Sequence, residues 1–254
     1  MSTTISYRTS PEDEELHSKR RELASLQEKL IEQELGLANL KGELSDFERL
    51  YLKVVGVKYA ELDEIEAQIA ELRAHRQPND AAAKQQAEAA RARAEETHTS
   101  TAQANGRAQF APSPSLRALY REVAKAIHPD LAENDADRAR RQGLMAEANE
   151  AYEAGDEVRL RSILQKYRNS PETVLGDDTA AELVRVIRKM AQVKERISEI
   201  KSEIERLTHS ELMTLKVKVE EARKQGRDLL TEMADAVALR IREAQMTLNA
   251  LSVR

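Results

Sequence analysis

Among the polar residues of this chain, His128-Pro129-Asp130 combines types that could act together. Histidine changes charge near neutral pH and aspartate accepts hydrogen bonds, while the proline between them fixes the turn and denies the preceding helix a further backbone donor. The spacing predicts a loop in which His128 and Asp130 are exposed and can pair with a complementary charged groove. Upstream, Arg117, Arg121 and Lys125 recur every four residues. On a helix they share one face, which taken alone reads either as an ordinary solvated face or as a surface complementary to an acidic partner. The other histidines, His17, His75, His98 and His209, stand alone without the paired spacing of a metal site. Cysteine is absent, which removes disulfides, thiolate ligands and thiol nucleophiles together. The sequence offers no candidate catalytic site and calls for no metal or cofactor, so the expected activity is binding.

A small helical island positions these residues. Ser115 is a candidate cap for a helix whose apolar face is Leu116, Leu119, Tyr120, Val123 and Ile127, and which stops at the tripeptide. Asp135 opens a second helix with Leu144, Met145, Ala148 and Tyr152 facing the first, and Gly155 is placed to close it. A third helix, from Asp156, carries Leu160, Ile163, Leu164 and Tyr167. Tyr120 and Tyr152 both lie on apolar faces, so they read as contacts between the first two helices.

Tyr120-Arg121, Lys125 and His128-Pro129-Asp130, together with Asn149-Glu150-Ala151-Tyr152-Glu153, resemble the J-domain family of co-chaperones. The resemblance covers the island alone. It implies that the loop and the basic helix face dock on a DnaK-type ATPase chaperone and stimulate its ATP hydrolysis, in a chain of the zinc-free, J-domain-only type. Three departures stand out. The short apolar helix that precedes Tyr120-Arg121 in the family is missing, since residues 99–115 offer Phe110 as their one large apolar side chain. A coiled-coil arm or Phe110 is expected to cover the surface that this helix would cover. The loop continues as Leu131-Ala132-Glu133 where many members have Lys-Asn, and a glycine- and phenylalanine-rich linker is absent.

The rest of the chain reads as long helices. With 33% charged and 3% aromatic residues, and only 8 Gly and 6 Pro in 254 residues, it has too few large side chains for one ordinary globular core. The expected fold is all-α: two long coiled-coil arms, antiparallel, flanking the island. The N-terminal arm spans 10–77, begins at the cap Ser10 and Pro11, and carries a seam of Leu16, Leu23, Leu26, Leu30, Leu37, Leu40, Leu44, Phe47 and Tyr51, with Lys19 and Gln33 as polar interruptions. An eleven-residue step from Leu44 to Val55 predicts a stutter with local unwinding near Gly56. Residues 78–114 read as a flexible linker rich in Ala, Gln, Ser and Thr, within which Ala81–Glu96 has the propensity for a transient or solvent-exposed helix but no apolar stripe, the island spans 115–170, and the C-terminal arm spans 177–254 from a start near Asp177 or Asp178. That arm's heptads run unbroken from Leu183 to Leu207 and loosen beyond. Each arm runs for about 65 to 75 residues, roughly 100 Å at the helical rise. Pairing of the arms within one chain and homo-oligomerisation through them both satisfy this pattern.

A net charge of −5 with interspersed signs argues against a nucleic-acid partner, which needs clustered basic residues. No apolar run of membrane-spanning length and no leader pattern is evident, so no membrane partner and a cytoplasmic location are expected. The reading is therefore a co-chaperone whose arms recruit a client protein. The alternative is a structural coiled-coil scaffold with an inactive J-like island.

Overall fold

A computed structural model of the chain describes residues 11–103, 110–132, 134–168 and 179–252. The fold is all-α, with no strand among the described residues. The chain divides into two compact units, one built from Met1–Gly42 and Phe110–Thr208, the other from Glu43–Gln109 and His209–Arg254. The expected cap Ser10, the helix start near Asp177 and the loop residue Glu133 lie outside the described residues.

In the first unit, helix α1 (Pro11–Tyr51) starts with Glu12, Asp13 and Glu14 in its first turn, where carboxylates favour the positive end of the helix dipole. Leu16, Leu23, Leu30 and Leu37 pack against Val186, Met190, Val193, Ile197 and Ile200 of helix α7 (Thr179–Thr208). The charged flanks set the direction. Arg20 pairs with Glu182, Glu34 with Arg196 at 2.9 Å and Lys41 with Glu203 at 3.5 Å. The partner's number rises with the number on α1, so the helices run parallel, within one chain, and the antiparallel expectation is corrected. Leucine repeats say nothing of direction. Arg20, Glu34 and Lys41 occupy the e positions of the α1 heptads and their partners the g positions of α7, a pattern that favours the parallel arrangement.

The island packs on a second face of α1 in the same unit. Helix α4 (Pro114–Ile127) is capped by Ser113, whose hydroxyl accepts from the Leu116 N–H at 3.0 Å, so the cap sits two residues before the expected Ser115. Pro114 then fills the first helical position, where its missing N–H costs nothing. Helix α5 (Asp135–Glu153) is capped by Asn134 and ends at Gly155, whose φ of 70° supplies the left-handed turn. Helix α6 (Glu157–Arg168) closes the bundle. Leu116, Tyr120, Val123, Ile127, Met145, Ala148, Tyr152, Leu160 and Ile163 share one core with Ile31, Leu35 and Ala38 of α1. Phe110 joins it edge-on to Tyr152, with ring centroids 5.7 Å apart. It lies over Gly42, where any Cβ would overlap its ring. Thus α1 and Phe110 together close the core of the island.

In the second unit, α1 passes through a π-helical segment, Leu52–Gly56, into helix α2 (Val57–Arg76). This is the local unwinding that the eleven-residue step predicts. Gly56 is buried, and a Cβ there would lie 3.2 Å from Thr101 Cγ2, so its role is close helix packing. Residues 81–103 are not a flexible linker. They form helix α3 (Ala81–Gln103), antiparallel to α2, with Arg91 bonded to Glu64 and Glu71 at 2.7 and 2.8 Å, and Arg93 to Asp63 at 3.0 Å. Its covered positions, Ala83, Ala87, Ala90, Ala94, Thr97 and Thr101, alternate steps of four and three. That is a heptad seam written in small residues, which let the backbones approach closely.

The single C-terminal arm is also corrected, because helices α8 (Glu211–Lys224) and α9 (Leu229–Ser252) follow α7. Ser210 caps α8 by accepting from the Met213 N–H, and Gly226, at φ 76°, ends it. Asp228 accepts from the Thr231 N–H to start α9. Val237 and Ile241 of α9 then pack with Leu62, Ile65 and Ile69 of α2, again in parallel, since Glu66 faces Arg240 and Arg76 reaches the Leu251 carbonyl.

The small-residue seam predicts that Ala94→Leu, at a site 3% exposed, destabilises the chain by about 1–3 kcal/mol through overpacking. Ala89→Leu, on the exposed face of α3, should leave stability within about 0.5 kcal/mol of the parent. Urea titration followed by circular dichroism compares the two, and equal effects would refute the seam.

Candidate functional site

Helix α4 delivers the tripeptide to its C-terminus. The His128 N–H is the last donor of the helix, reaching the Ala124 carbonyl at 3.0 Å, and Pro129 stops the ladder. Pro129–Leu131 form a single 3₁₀ turn, closed by the Leu131 N–H donating to the His128 carbonyl at 3.0 Å. Arg141 of α5, a residue the sequence reading passed over, spans this junction. Its Nη1 donates to the Ala126 carbonyl at 3.2 Å and its Nε to Asp137 at 2.6 Å, so a guanidinium satisfies the open end of α4.

The loop's exposure is corrected by the structure. His128 is 0% exposed. Its Nε2 lies 3.3 Å from Glu34 Oε1, and its Nδ1 accepts from the Asp130 N–H at 3.2 Å. A backbone N–H can only donate, so Nδ1 carries the lone pair and the ring proton sits on Nε2, directed at the carboxylate. Glu34 in turn accepts from Arg196 Nε at 3.1 Å and Nη2 at 2.9 Å. The 3₁₀ turn itself packs against α7. Two helices therefore hold the histidine, α1 through Glu34 and α7 through Arg196.

Asp130 is less well served. Its side chain is 12% exposed, Oδ1 lies 3.6 Å from Arg138 Nη2, and the buried Oδ2 has no hydrogen-bond partner. Burial raises its pKa, against the opposing charge of the Arg138 guanidinium. For Glu34 burial pushes the same way, but the His128 hydrogen bond and the Arg196 charge outweigh it and hold the carboxyl below its ordinary range.

The basic face is built as expected and is not free. Arg121 Nε lies 2.9 Å from Glu32, and Lys125 pairs with Glu28, both glutamates being on α1. Arg117 stands beside the Tyr152 hydroxyl and works against the rise that burial imposes on it. The first two island helices meet directly, the Tyr120 hydroxyl donating to Asn149 Oδ1 at 2.7 Å with the Tyr120 and Tyr152 rings 4.6 Å apart. The Tyr152 hydroxyl donates to Asn39 of α1, also at 2.7 Å. The structure thus gathers His128, Pro129 and Asp130 beside Arg121 and Lys125, and adds Glu28, Glu32, Glu34 and Arg196, which the sequence reading did not single out. The one sequence signal for the last two is their opposite charge on the e and g flanks of the two seams.

Among the described residues no three histidine or carboxylate side chains converge as a metal site, and no helix is long and apolar enough to cross a membrane. No protein-family model, no curated protein and no solved structure matches the chain.

Neutralising Glu34 should cost about 1–3 kcal/mol, because it replaces the charged acceptor that the buried His128 Nε2–H and the Arg196 guanidinium share with a neutral amide. Its pKa is lowered in the folded chain, so its contribution is complete above the ordinary glutamate value and is lost as pH falls through the folded value. The stability gap between the parent and Glu34→Gln should therefore narrow on acidification. Urea titrations across the acid range measure it, and a gap that stays constant with pH would rule out this assignment.

Proposed function

We propose that the chain is a co-chaperone of the J-domain type, binding a DnaK-type ATPase chaperone through His128-Pro129-Asp130 and the face of Arg117, Arg121 and Lys125, and stimulating its ATP hydrolysis. The observation that supports this reading best is the Tyr120–Asn149 hydrogen bond at 2.7 Å, which joins the two separate sequence segments that carry the resemblance in one hairpin with the tripeptide at its turn. A coincidental tripeptide would need no such agreement. On this reading the chain performs no catalysis, and its long helices serve to recruit a client protein.

A second reading has its own observation. The burial of His128 between Glu34 and Arg196 favours a structural scaffold in which the tripeptide has become a packing element. Steady-state ATP turnover by a purified DnaK-type chaperone separates the two. The co-chaperone reading expects the chain to stimulate turnover severalfold and His128→Gln to abolish the effect with helicity unchanged. Stimulation that is absent, or equal in parent and variant, would leave the scaffold reading standing.

A further inference from the structure

We propose that α7 is a movable cover over the His128-Pro129-Asp130 turn, and that α1 is the fixed base on which the turn is built. This rests on the co-chaperone reading and adds its regulation.

The two helices hold the turn by different physics. Through Ile31, Leu35 and Ala38, α1 belongs to the island's own core, and it closes that core with the Tyr152–Asn39 bond and the Phe110–Gly42 stacking. It cannot leave without exposing Tyr120 and Tyr152, which are fully buried. The α7 seam touches α1 on a different face, through residues that take no part in the island core. The polar contact of α7 with the turn's histidine runs through Arg196, whose side chain is 37% exposed, by way of Glu34. Lys19 and Gln33 occupy seam positions of α1 and loosen that pairing. Removing α7 therefore uncovers the turn while leaving the island folded on α1.

The basic face needs no such movement. Its pairs Arg121–Glu32 and Lys125–Glu28 are exposed on both sides, so an acidic partner surface can take over the two cations by side-chain exchange alone. Docking on the basic face is thus open at all times, and engagement of the turn waits on α7.

Variants of the full chain move the cover in both directions. Arg196→Glu sets a second carboxylate against Glu34 and should open it, whereas Lys19→Leu/Gln33→Leu completes the seam and should hold it shut. Hydrogen–deuterium exchange at the amides of Asp130–Ala132 reads the state without any chaperone. The expectation is exchange at least tenfold faster in Arg196→Glu and slower in the double variant, with ATPase stimulation moving in the same order. Exchange that is unchanged in both variants, with helicity intact, would overturn the cover. Exchange that moves as expected while ATPase stimulation is absent throughout would overturn the co-chaperone reading and leave the cover standing.

Discussion

One stretch of α1 is buried on two sides, and the first unit depends on it. Leu30 points into the seam with α7 and its neighbour Ile31 into the island core, at 0% and 2% exposure. Adjacent residues of a helix diverge by about 100°, so a helix that buries both must lie in a corner between two partners. Glu34, one turn on, falls on the edge between those faces, where its carboxylate meets His128 from one partner and Arg196 from the other. A charge in that position is costly to bury unless several donors converge on it. Here an imidazole and a two-pronged guanidinium contact do so.

This arrangement also bears on the stability of the three-helix island. Some fifty residues bury too little apolar surface to be securely stable alone. Its core is completed from a distant part of the chain, by Ile31, Leu35 and Ala38. The island and the long helix are therefore one folding problem. Phe110 needs the bare Gly42 beneath it, and Tyr152 needs Asn39, so the constraint runs both ways.

The sequence carried much of this, and what it hid has physical reasons. Large side chains at regular steps were legible: the leucines of α1, the run Leu183–Leu207, the three island helices and the stutter that became the π segment at Leu52–Gly56. The α3 seam was not, because alanine and threonine at the contact positions look like linker composition when size is the criterion. Helix direction was written in the e and g charges rather than in the leucines, and the two-sided burial of α1 was masked because Ile31, Leu35 and Ala38 form a second stripe beside the first. The breaks at Ser210 and Gly226 had local signals, a capping hydroxyl and a turn glycine, overridden by the apolar stripe that continues past them. For the tripeptide, the sequence showed the turn but not its surroundings. Proline predicts where a helix stops, and nothing local to residues 128–130 points to Glu34, which lies 94 residues away.

The same contrast between local and distant contacts bears on what the loop can do. Asp130 keeps a buried oxygen without a hydrogen bond and a carboxyl whose pKa burial drives upward, while the N–H groups of residues 130–132 all donate. An unsatisfied buried acceptor costs about 1–3 kcal/mol. His128 shows the opposite pattern, with both ring nitrogens engaged. The turn thus combines a histidine that is fully invested in the fold with an aspartate that the fold leaves in deficit. Of the two, Asp130 is the residue with unmet hydrogen-bonding capacity, and His128 is the one that holds the turn in shape.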